Sequence, residues 1–403
     1  MDLNAATSKL ETLRTLMAGH TDTSEERRIL ELLTGANAAE LNFLMTNVDL
    51  ESLLSDLDDR VMGPDHHTAL LDLLCSRRTA ELSLPVRASL VTALQVGTTH
   101  LEAERRVRDL FLGLRGRELT TFKNLLDAGG NHQDLEKLLF DDMDDPGLRE
   151  EILVHIRREA EATPSGENKV LSDIDDTFYA NLKDQRYPSK TVYPGVLAFY
   201  AELDRGPGII PGREGDLTFV TARPMDALGV VENMTLDTLR AHGVPPPAVL
   251  SGSFAHLIGN SRIADKKFDN FQRYIRVFPE YGFVFVGDSG QGDVEFGARM
   301  LAAAPQAVHA VFIHDVVDTP EATRQSWRAK RVFFFDTYVG AAVEAFQVGV
   351  ISRDGVARVA RAAQESIGGI AFTSPGQREA RQQELARDLH RAAALISVPV
   401  AGR

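Results

Sequence analysis

Lys169 to Thr177 reads KVLSDIDDT and passes within a few residues from an apolar run to three carboxylates. Asp173 and Asp175 lie two apart on what the composition of KVLS marks as extended chain, so both side chains project to the same side at its carboxyl end. Alone, the string also suits a capped turn in which Asp176 or Thr177 satisfies backbone donors. The surrounding texture decides the fold. Short apolar runs return at LTFVTA, AVLSG, FVFVGD, AVHAVFIHD and RVFFFD, with helical patterns such as ALGVVENMTLDTLRAHG and VEFGARMLAAA between them. Strands alternating with helices predict a doubly wound, parallel α/β sheet. Ligands of such sheets sit at the carboxyl ends of the strands, where the polar motifs fall here.

Three further motifs follow in order. Thr218 to Pro224, TFVTARP, is a strand ending in Thr221, a hydroxyl placed to donate to a phosphate oxygen, or simply a strand-end threonine. Lys266 and Lys267 open a helical stretch running to Phe278-Pro279; a cation there would hold a phosphoryl group and a carboxylate together, unless the pair is solvated. The spacing favours Lys267. FVFVGDSGQGD carries Asp288 at the end of a β-rich run and Asp293 after a glycine-rich turn that aims both carboxylates back at the strand tips. Convergence of Asp173, Asp175, Asp288 and Asp293 would cost about 4 kcal/mol for each pair near ~4 Å at an effective dielectric of ~20. A divalent cation relieves that repulsion, and oxygen-only ligands favour Mg²⁺ over zinc.

Residues 1–160 read differently, as helix after helix with Leu, Ile and Val at three- and four-residue spacing. The region repeats itself: Glu26-Arg27-Arg28-Ile29 returns as Glu104-Arg105-Arg106-Val107, and DLESLLSDLDD from Asp49 returns as DLEKLLFDDMDD from Asp134. Two copies of a helical unit sharing one core are expected. The polar stretch at residues 161–168 reads as a linker, 169–340 as the α/β domain, and 341–403 as helices packed on its core, including an amphipathic helix at Gln377–Ile396.

The 403 residues suit two domains, and a net charge of −14 argues against a broad basic face for nucleic acid. The single cysteine, Cys75, excludes an internal disulfide framework and a cysteine-based zinc site. No uncharged run reaches membrane-spanning length, and MDLNAATSKLETLRT lacks the order of a signal peptide. A cytoplasmic protein, peripheral at membranes if at all, is expected.

In order and context, DIDDT, TFVTARP, the lysine and GDSGQGD resemble the four motifs of the haloacid-dehalogenase superfamily. More narrowly, SDIDDT, the Tyr193-Pro194-Gly195 turn, the FP before the strand ending in GDSGQGD, and VFIHD resemble the catalytic domain of App1-type phosphatidate phosphatases over about residues 168–318. His314 stands where that group often carries arginine. The resemblance implies a Mg²⁺-dependent phosphatase. Asp173 would be the nucleophile and a metal ligand. Asp175 would be the acid and base, with its backbone carbonyl at the metal. Thr221, Arg223 and Lys267 would hold the phosphate, and Asp288 and Asp293 would complete the metal site. The first helical copy, with Gly19, Thr21 and Asp22 before a helix and Asp58-Asp59 further on, is similar to an annexin repeat, although His20 replaces a helpful glycine. Its aspartates read as helix caps or, alternatively, as a Ca²⁺ and lipid site.

Only about fifteen residues, FYANLKDQRYPSKTV, separate Thr177 from the Tyr193 turn, enough for a flap carrying Lys183, Arg186 and Lys190 but not for a lid domain. An open site suits a phosphorylated lipid presented at a membrane surface. A phosphatase of a soluble metabolite or protein, and a membrane-binding adaptor with a vestigial catalytic domain, are the competing readings.

Overall fold

The computed structural model describes residues 2–19, 21–57, 65–95, 101–127, 135–208, 217–220, 248–250 and 260–397, with backbone alone for 248–250, 260–263 and 266. The chain divides into two compact units, Met1–Thr163 and Pro164–Arg403.

The first unit is helical. Helices α1 (Leu3–Leu16), α2 (Thr23–Gly35), α3 (Ala38–Asn47), α4 (Leu50–Asp56) and α5 (His66–Asp72) are followed by α6 (Leu84–Leu94), α7 (Leu101–Leu112), α8 (Gly116–Asp127), α9 (Leu135–Lys137) and α10 (Pro146–Ala162). Their leucines at three- and four-residue spacing, such as Leu10, Leu13, Ile29, Leu33, Leu41 and Leu44, are buried. Each contributes about 1.5–3 kcal/mol of transfer free energy. Glu26 and Glu104, aligned by the sequence repeat, are both buried and both reach forward about forty residues. Glu26 meets His66 Nδ1 at 2.5 Å, where α5 begins. Glu104 accepts from the backbone N–H of Asp144 and Asp145, at 2.8 and 3.0 Å, where α10 begins. A buried carboxylate at the same place in each copy ties the second helix of that copy to its last.

Asp22 caps α2 in a capping box: its carboxylate accepts from Ser24 and Glu25 N–H, and Glu25 accepts from Asp22 N–H. His20, Asp58 and Asp59 lie outside the described residues.

The second unit holds a six-stranded, wholly parallel sheet: β1 (Asn168–Ser172), β2 (Leu217–Val220), β3 (Ala248–Leu250), β4 (Gly282–Asp288), β5 (Val308–His314) and β6 (Val332–Phe335), in the order β3-β2-β1-β4-β5-β6. Its helices are α11 (Val196–Arg205), α12 (Asn260–Val277), α13 (Asp293–Ala303), α14 (Glu321–Arg328), α15 (Tyr338–Gln347), α16 (Arg353–Ile367) and α17 (Pro375–Ser397). This is a doubly wound α/β fold. With both faces covered, the strands are near-continuous apolar runs rather than alternating ones. The chain reverses direction across the sheet between β1 and β4, and the crevice outside their carboxyl ends is where such folds bind ligands.

The stretch read as a linker is shorter than its composition suggests. Helix α10 extends to Ala162 and β1 begins at Asn168, because Glu161 and Ala162 still favour helix and Asn168 pairs with Gly282. Helices α15, α16 and α17 complete the core, with Tyr338, Val356, Val359, Leu385 and Ala392 in one cluster with Val284 and Phe312. Among the described residues, no helix is long and apolar enough to cross a membrane.

Glu104→Ala removes the buried carboxylate that holds the N–H groups of Asp144 and Asp145 and is expected to destabilise the protein by about 1–3 kcal/mol. Chemical denaturation of the full chain checks this; a change within ~0.3 kcal/mol would deny Glu104 its tying role.

Candidate active site

The site begins with strand register. Ser172 pairs with Val286, and Asp173 N–H continues the ladder by donating to Val286 carbonyl at 2.9 Å. Asp173 therefore leaves the tip of β1 beside Gly287-Asp288 at the tip of β4. A side chain at Gly287 would meet the Asp293 carboxylate, its Cβ lying 2.6 Å from Oδ2. Glycine is needed there so that Asp293 can fold back. The loop turns through Gly292, at φ +91°, into α13, whose first residue is Asp293. An acidic residue is favoured at that position by the exposed N–H groups of the helix start. Asp288 N–H donates to Asp293 Oδ2 at 3.2 Å, while Asp288 Oδ1 accepts from Gly290 N–H at 2.6 Å. The turn thus fixes both carboxylates.

One oxygen each from Asp173, Asp288 and Asp293 lies within 4.8 Å of the others, and all three residues are buried. Among the described residues this is the one such acidic cluster. Lys267, from α12 and 2% exposed, reaches into it. Its ammonium donates to Asp173 Oδ1 at 2.6 Å and to Asp293 Oδ1 at 2.7 Å. One cation cannot balance three enclosed carboxylates. Burial, opposed by Lys267 and reinforced by Asp293 and Asp175, pushes the Asp173 carboxyl up to about 7. Burial, then Asp293 and Asp173, hold Asp288 well above the usual carboxylate range. Burial alone would lower the Lys267 ammonium, but Asp173 and Asp293 outweigh it and raise it. A dry, oxygen-only donor set with excess negative charge fits a hard divalent cation.

Residues 168–315, from the start of β1 to just beyond β5, match the family described as phosphatidate phosphatase APP1, catalytic domain. Over this stretch the chain is similar to that catalytic domain. No curated protein and no solved structure matches the chain.

The fold separates Asp175 from the other acidic motif residues. The Asp175 carboxylate is not part of the three-residue cluster; its Oδ1 accepts from Asn181 Nδ2 at 2.6 Å. Asn181 belongs to the flap, residues 178–192. The neck of the flap is closed by Ala180 N–H to Thr191 carbonyl at 3.0 Å and Lys190 N–H to Ala180 carbonyl at 2.7 Å. Its interior is organised by Asp176, a non-glycine residue at φ +56°. The fully buried Asp176 carboxylate accepts backbone N–H groups of Asn181 at 2.8 Å, Leu182 at 3.1 Å, Lys183 at 2.6 Å and Asp184 at 3.3 Å. Four converging N–H groups form an anion nest around an anion of the chain itself.

Arg186 is neither a free flap cation nor a solvated one. It grips Asp184 through Nε and Nη2, at 2.9 and 3.0 Å, and Nη2 also lies 3.2 Å from His314 Nε2. Tyr193 OH donates to Asp184 Oδ2 at 2.9 Å. His314 Nδ1 lies 2.8 Å from Asp176 carbonyl, which can only accept, so Nδ1 carries the proton and Nε2 accepts from Arg186. Burial and the neighbouring guanidinium push His314 down to about 4 and keep it neutral. Lys190 lies 4.5 Å from the centre of the Tyr179 ring. Of the three cations read into the flap, only Lys183 flanks the crevice, its Cγ packed over Gly290 beside Asp288.

Thr221 and Arg223, read from sequence as phosphate ligands, lie outside the described residues, as do residues 221–247 that read as strand end and helix. Two participants escaped the sequence reading. Asn181 carried no signal, being one polar loop residue among several. Asp315 accepts from Ser289 Oγ at 2.9 Å and is paired with Arg324, anchoring the loop that follows Asp288; the closing VFIHD motif was its only trace.

The folded value of Asp173, about 7, lies above its ordinary 3.8, so between those values the folded domain holds a proton that the unfolded chain has released. Stability is therefore lost as pH rises through that window. Without divalent metal, the unfolding midpoint is expected to fall from about pH 5 to about pH 8, and Asp173→Asn to flatten the fall. Parallel slopes for the two proteins in thermal unfolding would contradict this charge balance.

Proposed function

We propose that the chain is a Mg²⁺-dependent phosphomonoester hydrolase acting through an aspartyl-phosphate at Asp173, with phosphatidate or a related lipid phosphate as substrate. The convergence of Asp173, Asp288 and Asp293 on Lys267 carries the reading. Asp173, Asp288 and Asp293 would hold Mg²⁺, which when bound would neutralise the crowded carboxylates and the phosphoryl charge.

A carboxylate oxygen of Asp173 attacks phosphorus, and the bond from phosphorus to the ester oxygen breaks. Asp175, standing apart from the acidic cluster, gives its proton to that leaving oxygen. It then takes a proton from a water whose oxygen attacks the aspartyl-phosphate, releasing inorganic phosphate and restoring Asp173. Lys267 holds Asp173 and Asp293 in place and offers its remaining proton to a phosphoryl oxygen. Thr221 and Arg223 complete the phosphate grip.

The lipid substrate is supported by the family match and by the loops bordering the crevice. Leu182 on the flap and Val317 beyond β5 are 56% and 53% exposed, and both loops are tied into the site, at Asp176 and at Asp315. Exposed aliphatic side chains on loops tied to the site suit a substrate presented with its acyl chains.

Phosphate release with Mg²⁺ from dispersed phosphatidate, set against a panel of soluble phosphate esters, tests the reading. Turnover of phosphatidate is expected, falling at least ~10³-fold in Asp173→Asn. Turnover of soluble esters alone would remove the lipid and keep the chemistry. Activity surviving in Asp173→Asn would remove the mechanism.

A further inference from the structure

The flap does more than cover the crevice. It delivers one side chain, Asn181, to the carboxylate of Asp175, and two sets of buried interactions fix its position. From the front, the Asp176 carboxylate gathers the N–H groups of residues 181–184, including that of Asn181 itself at 2.8 Å. From behind, Asp184 is held by Arg186 and Tyr193, and Arg186 is aligned on neutral His314. His314 in turn donates to the carbonyl of Asp176, closing a ring of contacts that returns to the nest. Side chains of Asp176, Asp184 and His314 are buried, so the ring is shielded from water. Such investment around one exposed loop is out of proportion to merely closing it.

We propose that Asn181 is a positioning residue for Asp175, and that the Asp176 nest and the Asp184–Arg186–His314 lock serve to hold Asn181 against it. The amide donates to Oδ1 of Asp175 at 2.6 Å. That bond restrains rotation of the carboxyl group and so fixes the direction in which it presents a proton. The inference rests on Asp175 acting as the proton donor to the leaving group.

The test uses the full-length protein with Mg²⁺ and two soluble substrates, an aryl phosphate with a good leaving group and an alkyl phosphate with a poor one. A poor leaving group needs the proton; a good one largely does not. Asn181→Ala is expected to lower kcat/KM on the alkyl ester by about 10–100-fold while changing it on the aryl ester less than ~3-fold, because kcat/KM reports the steps up to leaving-group departure and not the later hydrolysis, which both esters share. Arg186→Lys, which keeps charge but loses the bidentate grip, is expected to show the same selectivity at smaller amplitude. Equal losses on both esters would reduce Asn181 to a structural part of the flap and overturn the proposal, as would no loss on either. Asp175→Asn run alongside separates the failures. If that variant also loses kcat/KM equally on both esters, the role of Asp175 as proton donor falls and the proposal falls with it. If Asp175→Asn is selective and Asn181→Ala is not, the proposal alone fails.

Discussion

Three carboxylates and one ammonium are enclosed within a few ångströms, almost without solvent, and the second unit is arranged around that imbalance. Two like charges near ~4 Å repel by about 4 kcal/mol even at an effective dielectric of ~20. Asp173, Asp288 and Asp293 nevertheless meet because adjacent parallel strands end side by side and a glycine turn folds the start of α13 back on them. Lys267 offsets part of the charge, and the raised carboxyls of Asp173 and Asp288 register what remains. A structural salt-bridge cluster would be expected to balance. This one is left short of positive charge, as the proposed binding of a cation requires.

Around that centre, the buried carboxylates of the bordering loops are paired. Asp176 is saturated by backbone N–H groups, Asp184 by Arg186 and Tyr193, and Asp315 by Ser289 and Arg324. Removing one member of such a set leaves a buried charge uncompensated and costs about 3–5 kcal/mol, so these contacts resist drift. They fix the two loops that border the crevice, and Asp175 takes its orientation from one of them. Paired carboxylates in the loops and an excess of negative charge at the Asp173–Asp288–Asp293 cluster separate the groups that hold from the groups proposed to react.

The main lines of this arrangement were legible in the chain. Apolar runs ending in DIDDT and GDSGQGD announce parallel strands with carboxylates at their tips, and the alternation with helices fixes the doubly wound class. Lys267 reaches the carboxylates from the face of α12 turned to the sheet tips, a face that helical spacing gives to one residue of an adjacent pair. The repeat in the helical unit was visible as recurring ERRI and ERRV, but not that its glutamates bridge forty residues to His66 and to the Asp144-Asp145 backbone. Periodicity reports which face is buried and is silent on which partner a buried polar group finds. The same silence hid the diversion of Asp175 to Asn181 and the burial of Arg186, since a loop of mixed polar residues has no period to read.

The central claim is that Asp173 carries the phosphoryl group between substrate and water. Acid quenching during turnover, followed by borohydride reduction and peptide mass spectrometry, tests it most directly, because an aspartyl-phosphate is reduced to homoserine while a free aspartate is not. Homoserine at position 173 is the predicted result, enriched in Asp175→Asn given an aryl phosphate, whose good leaving group lets the intermediate form without the acid while its hydrolysis lacks a base. Steady turnover with an unmodified Asp173, or with the label at another residue, would contradict the account.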